Sequence, residues 1–268
     1  MFEKLRARWL GNVPEPSVPS PAHATVLNYL WINKEPDKAD FPQGVKCSVP
    51  FSALDKAYEN AARYHDAKVN IWLDFDQLNE SSFSWIKRHF AQRTPGNVRI
   101  RDLNTIEAYE AAKEFDDFDG RPIDARVDMA RLMVLMKSMG ESARGNRVIY
   151  SDFDVPDVGL NRPDLDDCMN NQGLVIGATL TTGQFMENGY LGFNATGENF
   201  ARVEKLLGDT LVSLAETSDV DGFPTLRLHA EEWAREFGVD EAALTVKIQP
   251  VSGTPMEHDP QYDGINPP

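Results

Sequence analysis

Two aspartates one residue apart, Asp152 and Asp154, stand directly after the apolar, β-prone run Arg147–Tyr150. Carboxylates in that spacing at the end of a strand suit a hard divalent cation. Mg²⁺ and Mn²⁺ favour oxygen ligands, and Mg²⁺ typically takes one or two carboxylates plus substrate phosphates and water. Such a cation neutralises a diphosphate leaving group, so that bond breaking does not strand negative charge. The same spacing occurs at Asp74/Asp76 and at Asp117/Asp119. Asp74 and Asp76 also follow a strand-like run, Lys68–Leu73, and compete as a metal pair. Asp117 and Asp119 lie in the turn-like cluster DDFDG and read as solvated acids.

A second constellation precedes the first. Ile123–Met139 is rich in Met, Leu and Arg and predicts a long helix, stopped by Gly140. Asp128 and Arg131, three apart, share one face of it, with Asp124 a turn earlier. The plain reading is a surface ion pair. The functional one has Asp128 accepting from a base or ribose while Arg131 grips a phosphate or the ribose. Trp31 closes the apolar run Ala24–Ile32. There it is either core or, at a strand's carboxyl end, a face for stacking on a nucleobase.

These residues need elements to carry them. Strands are expected at Ala24–Ile32, Lys68–Leu73, Val98–Ile100, Arg147–Tyr150, Gly173–Thr179 and Gly189–Asn194. Helices are expected at Phe51–Tyr64, Ser81–Ala91, Thr105–Phe115, Ile123–Met139 and Glu198–Glu216. In Phe51–Tyr64, Leu54, Ala57, Tyr58 and Ala61 form the apolar side. Strands separated by single helices indicate an open α/β sheet with helices on its faces. The ligand crevice of such a sheet lies beyond the carboxyl ends of the strands. The expected organisation is a Pro-rich extended lead-in over 1–23, one domain over 24–249, and a flexible segment over 250–268.

Composition narrows the classes. The 268 residues are 41% hydrophobic with a formal charge of −15, which disfavours nucleic-acid binding through phosphate contacts. No run approaches the roughly 20 apolar residues of a membrane span, and no signal peptide is legible. Cys47 and Cys168 are too few for a disulfide framework. Synthesis in the cytoplasm is the simplest fit, and leaderless secretion would leave the same signature. His23, His65, His89 and His229 show no paired ligand spacing and read as surface or capping residues. No G-x-x-x-x-G-K-[ST] loop occurs.

The runs NYLWINKEP, RVDMARLMVLMKSMG and RVIYSDFDV, in that order, resemble three successive motifs of the Asp-x-Asp glycosyltransferases with the GT-A fold. The nearest in pattern are the clostridial glucosylating toxins, related bacterial effectors and the α-glycosyltransferases that share their sugar-binding region. The resemblance covers about residues 24–200. It departs from the family at Arg126-Val127 before the aspartate, at Asn33 in place of Gly, and at Gly145-Asn146 in place of a Gly-Gly pair.

The resemblance implies a single-domain, Rossmann-like GT-A fold: an open mixed sheet with helices on both faces. It implies metal-dependent transfer of a hexosyl or pentosyl group from a nucleoside diphosphate sugar, with retention of configuration. By position, Trp31 would stack on the base, beside Ile32 and Ser151 in the nucleotide-sugar site. Asp128 and Arg131 would contact ribose, sugar or diphosphate. Asp152 would bind hydroxyls and, through water, the metal, while Asp154 would ligate Mn²⁺ or Mg²⁺ directly. Asn188 falls in a strand that loosely resembles the family's Asn-bearing strand near the sugar. His258, in the C-terminal segment, is a candidate further ligand, against the alternative of a polar tail without a role.

A UDP-sugar donor is expected first, with a GDP-sugar as the alternative. The acceptor, whether a small molecule, glycan, protein or modified base, is left open. Two other functions compete: metal-dependent phosphoryl or nucleotidyl transfer, and a non-catalytic sugar-nucleotide-binding effector domain.

Overall fold

The computed structural model describes residues 24–32, 51–78, 95–115, 118–142, 145–153, 157–179, 186–216 and 245–248, with single positions at 84, 86, 88, 155, 229, 231, 232, 234, 235 and 238. Among these residues seven strands form one sheet in the order β3-β2-β1-β4-β6-β5-β7. They are β1 (Thr25–Trp31), β2 (Lys68–Leu73), β3 (Val98–Asp102), β4 (Arg147–Ser151), β5 (Leu174–Thr179), β6 (Met186–Asn194) and β7 (Thr245–Ile248). β1 pairs in parallel with β2 and β4, β2 with β3, and β5 with β7, whereas β6 runs antiparallel to both β4 and β5. The sheet is therefore mixed, with β1 at its switch point, because the chain leaves β1 towards β2 and β3 and later returns to β1's other side as β4.

Five helices whose bounds fall among the described residues cover the sheet: α1 (Phe51–Arg63), α2 (Glu107–Phe115), α3 (Ile123–Glu141), α4 (Pro163–Asn171) and α5 (Gly197–Glu216). One core joins α2, α3 and α5 to Leu30, Trp72, Val148, Tyr150, Leu191 and Phe193. The other joins α1 and α4 to Leu27, Tyr29, Trp31, Ile71, Ile149 and Val175. Residues alternate between the two cores along β1, β2, β4, β5 and β6, as the period of two requires. The expected apolar side of α1 is buried throughout: Leu54, Ala57, Tyr58 and Ala61 all belong to the second core.

Helix α3 is buried nearly all round, which places it in the middle of a layer rather than on its surface. Each Leu or Met it removes from water contributes about 1.5–3 kcal/mol. Buried Asn28 ties α3 to the sheet. Its Oδ1 accepts from Asn70 Nδ2 (3.1 Å), Trp72 Nε1 (3.0 Å) and Ser138 Oγ (2.8 Å), and its Nδ2 donates to the Ile149 carbonyl (3.1 Å). One amide thus fixes β1, β2, β4 and α3 in a single register.

The expected stop at Gly140 is corrected. Helix α3 runs through it to Glu141, and the Ser142 N–H closes the end on the Met139 carbonyl at 3.1 Å. Gly140 keeps a helical backbone, and a Cβ there would meet nothing within 4 Å. Gly140→Ala is therefore expected to raise stability by about 0.5–1 kcal/mol, read as a higher denaturant midpoint. A lower midpoint would mean that the helix does end at the glycine.

Two elements were not expected from the sequence. Helix α4 opens with Pro163 at its first position and carries Asp164 and Asp166 in its first turn, both ordinary start signals. It buries only Leu165, Cys168 and Met169, a stripe too narrow to stand out. The other element is β7, four residues on the sheet's edge. Of the expected helix Ser81–Ala91, only positions 84, 86 and 88 are described, and they are helical. The lead-in 1–23 and the segment 250–268 lie outside the described residues.

Candidate functional site at the carboxyl ends of β1 and β4

Strand β4 ends at Ser151, and the period of two then turns Asp152 towards α3 and Phe153 towards the opposite core. Phe153 fills that core, stacked on Tyr29 at 5.0 Å between ring centroids and edge-on to Trp31 at 6.3 Å. With Phe153 anchored, Asp152 is held on the α3 side, 5% exposed. The Tyr150 hydroxyl donates a short hydrogen bond to Asp152 Oδ1. Arg131 approaches from α3: its Nη2 lies 3.3 Å from Asp128 Oδ1 and 3.9 Å from Asp152 Oδ1. Its guanidinium carbon stands 5.3 Å from the centroid of the Tyr150 ring. Among the described residues no donor reaches Asp152 Oδ2.

The surface reading of Asp128/Arg131 is thereby corrected, for the two residues are 6% and 3% exposed. Helix α3 turns this face towards β4, while Asp124, a turn earlier, is exposed. Two buried carboxylates, Asp128 and Asp152, thus face one guanidinium at the carboxyl end of β4.

The other residues singled out from the sequence fall as follows. Trp31 ends β1 and Ile32 follows it, 8% and 5% exposed. Trp31 belongs to the core opposite Asp152 and Ile32 to the core that contains α3. The structure therefore gathers Asp128, Arg131 and Asp152 on one side and sets Trp31 across the sheet edge. Ser151 is fully buried, and its hydroxyl donates to the Asp152 carbonyl at 3.0 Å. Asn188 is on β6. Asp154 and His258 lie outside the described residues. Sequence reasoning left Tyr150 out of the site, although its place two residues before Asp152 was a usable signal.

The competing pair Asp74/Asp76 has a structural task. Asp74 is 2% exposed and caps a 3₁₀ turn by accepting from the Asp76 N–H at 3.0 Å. It also accepts from Asn104 Nδ2 at 3.0 Å and from the Tyr109 hydroxyl at 2.9 Å. Lys113 lies 3.5 Å from Asp74 and 2.9 Å from Asp76. Burial works against the Lys113 charge, yet these carboxylates hold its pKa above the usual value. The pair is thus already occupied by a protein cation. Of the third pair, Asp119 is exposed and lies 3.8 Å from Arg126.

The chain beyond Asp152 is pinned to α1. Asp157 accepts from the Tyr64 hydroxyl (2.5 Å) and the Gly159 N–H (2.9 Å) and pairs with Arg63. Partial burial would raise the Asp157 pKa, but these donors and the Arg63 charge together hold it below the ordinary carboxylate value. A depressed pKa contributes stability above the unfolded-state value, about 3.9, and that contribution is lost as pH falls through the folded-state value. Asp157→Asn is therefore expected to melt below the wild type at pH 7, with the gap closing as the pH drops below about 4. A gap that stays constant from pH 7 to 3 would contradict the assignment. Cys168 offers no nucleophile, because burial pushes its thiol up to about 12. Among the described residues no three His, Cys, Asp or Glu side chains form a metal cluster, and no helix is long and apolar enough to cross a membrane.

Solved structures share this architecture. A protein described as a transferase, solved as a double cysteine-to-serine variant, matches with a TM-score of 0.53 at 14% identity, over 82% of this chain and 88% of that one. A second transferase structure matches at 0.51 and 15% identity, over 80% and 85%. The PaToxG glycosyltransferase matches at 0.48 and 14%, over 91% and 78%. The sequence matches no protein-family model and no curated protein. At these identities the likeness is one of fold. The chain has a GT-A-like α/β fold built on one mixed sheet.

Proposed function

We propose that this protein transfers a hexosyl or pentosyl group from a nucleoside diphosphate sugar, a UDP-sugar first and a GDP-sugar second, to an acceptor hydroxyl, amide or guanidinium. The observation that carries the reading is the buried cluster Asp128–Arg131–Asp152 at the carboxyl ends of the switch-point strands, in which no donor among the described residues reaches Asp152 Oδ2. Open α/β sheets bind their ligands at this place.

Each residue has a task that its chemistry permits. A carboxylate accepts hydrogen bonds, so Asp128 and Asp152 suit the hydroxyls of ribose and sugar. Arg131 keeps both carboxylates at fixed distance and places a permanent positive charge beside the diphosphate. In a water-poor setting a fixed charge acts on the developing phosphate charge without reorganising. Tyr150 holds Asp152 Oδ1, which leaves Oδ2 for the ligand. Trp31, which ends the neighbouring strand, is the residue assigned to the base, with Ile32 and Ser151 assigned to the same nucleotide-sugar site. Asn188 is assigned to the sugar on the family resemblance of its strand.

A carboxylate oxygen that accepts from no donor among the described residues suits a hard cation such as Mn²⁺ or Mg²⁺. Asp152 and Asp154 would hold the ion, with His258 as a further ligand. A bound cation supplies positive charge to offset the diphosphate as it departs. No covalent nucleophile is assigned, and retention is the expected stereochemical course.

The test is release of nucleoside diphosphate by the purified protein from a panel of UDP- and GDP-sugars with Mn²⁺ or Mg²⁺. Slow release from one donor without any acceptor supports the reading. Cleavage of nucleoside triphosphates instead would favour phosphoryl or nucleotidyl transfer, and binding without release would favour a non-catalytic domain.

A further inference from the structure

Across the ladder from Asp152, strand β6 carries Gly189. The two residues follow the Ser151/Tyr190 pair, and the Asp152 N–H donates to the Gly189 carbonyl at 2.7 Å, so the pairing continues one residue past β4. A Cβ on Gly189 would stand 3.5 Å from Asp152 Cβ, 3.2 Å from its Cγ and 2.6 Å from Oδ2. Facing Cβ atoms in antiparallel pairs are ordinarily about 4.5–5.5 Å apart. The Asp152 carboxylate therefore leans over position 189 and fills the space that any side chain there would take. Gly189 is not among the glycines with positive φ, so its backbone conformation does not call for glycine. The need comes from the carboxylate.

We infer that Gly189 is a positioning residue for Asp152, its missing side chain being the slot in which Oδ2 sits. The functional consequence rests on the sugar-nucleotide reading above, because Oδ2 is the oxygen left to the ligand. The three atoms nearest to a methyl at 189 all belong to Asp152, so that side chain must rotate. Rotation displaces Oδ2 and pulls Oδ1 off the Tyr150 hydroxyl. A displacement of about an ångström in a reacting constellation costs roughly 10²-fold in rate.

The experiment uses Gly189→Ala, Asp152→Ala and the double variant, each measured for melting temperature and for donor cleavage. Gly192→Ala serves as the structural comparison, since a Cβ there would meet Val175 Cγ1 at 2.7 Å and Ile149 Cγ1 at 3.3 Å, both core side chains. Gly189→Ala is expected to lose roughly 10²-fold in kcat while folded, whereas folded Gly192→Ala keeps the wild-type kcat and only melts lower. Gly189→Ala is also expected to lower the melting temperature in the wild-type background and to lower it much less in Asp152→Ala, where the methyl has room. Equal losses in both backgrounds, or an unchanged kcat, would overturn the inference. If the wild type cleaves no sugar nucleotide, the functional reading fails. The two-background melting comparison then decides the positioning role alone: equal losses overturn it and unequal losses support it.

Discussion

Asp152→Asn is expected to lower sugar-nucleotide cleavage by roughly 10²–10³-fold, the range for removing one preorganised electrostatic contact, with little change in melting temperature. Asparagine keeps the volume of the side chain and an Oδ1 that still accepts from the Tyr150 hydroxyl. Arg131 keeps Asp128 as its partner at 3.3 Å. What disappears is the negative charge at Oδ2, the feature that the proposed ligand uses. Steady-state cleavage of the best donor, measured beside a thermal melt, separates the two effects. Wild-type kcat in a well-folded Asp152→Asn would remove Asp152 from the chemistry.

Arg131→Met is expected to destabilise the fold by about 3–5 kcal/mol, because it leaves two buried carboxylates without their shared cation. Methionine fills much of the space left by the aliphatic stem, so the loss is chiefly electrostatic. Arg131→Lys retains the charge without the planar fork and should recover part of the stability but not wild-type kcat. Urea unfolding of the three proteins measures the order. A Met variant as stable as the wild type would show that the Asp128 and Asp152 charges do not depend on Arg131.

Much of this arrangement could be read from the chain because it is local. The apolar side of α1 and the strands Lys68–Leu73 and Arg147–Tyr150 carry their own patterns. The spacing of Asp128 and Arg131, together with the family resemblance, singles out both, with Asp152, as candidates for one nucleotide-sugar site. Their burial was not legible, since α3 is apolar almost all round and periodicity does not say which face meets the sheet. Asp74/Asp76 could not be told from Asp152/Asp154 by sequence. What occupies Asp74 is Asn104, Tyr109 and Lys113, which arrive from a later part of the chain. Gly189 required the β4–β6 register, which no local pattern encodes. The sequence reading had singled out its neighbour Asn188 instead.

The central claim is that the crevice beyond β1 and β4 binds a nucleoside diphosphate sugar with a divalent cation. Thermal melting of the purified protein against UDP- and GDP-sugars, with and without Mn²⁺, tests it most directly, because a ligand that binds only the folded state stabilises it by mass action. Donor at 100 times its Kd should add about 2.7 kcal/mol, a rise of roughly 5–10 °C for a domain of this size. The rise should occur with one sugar nucleotide, require Mn²⁺, and vanish in Asp152→Asn. A cooperative melt whose midpoint stays fixed with every donor would contradict the account.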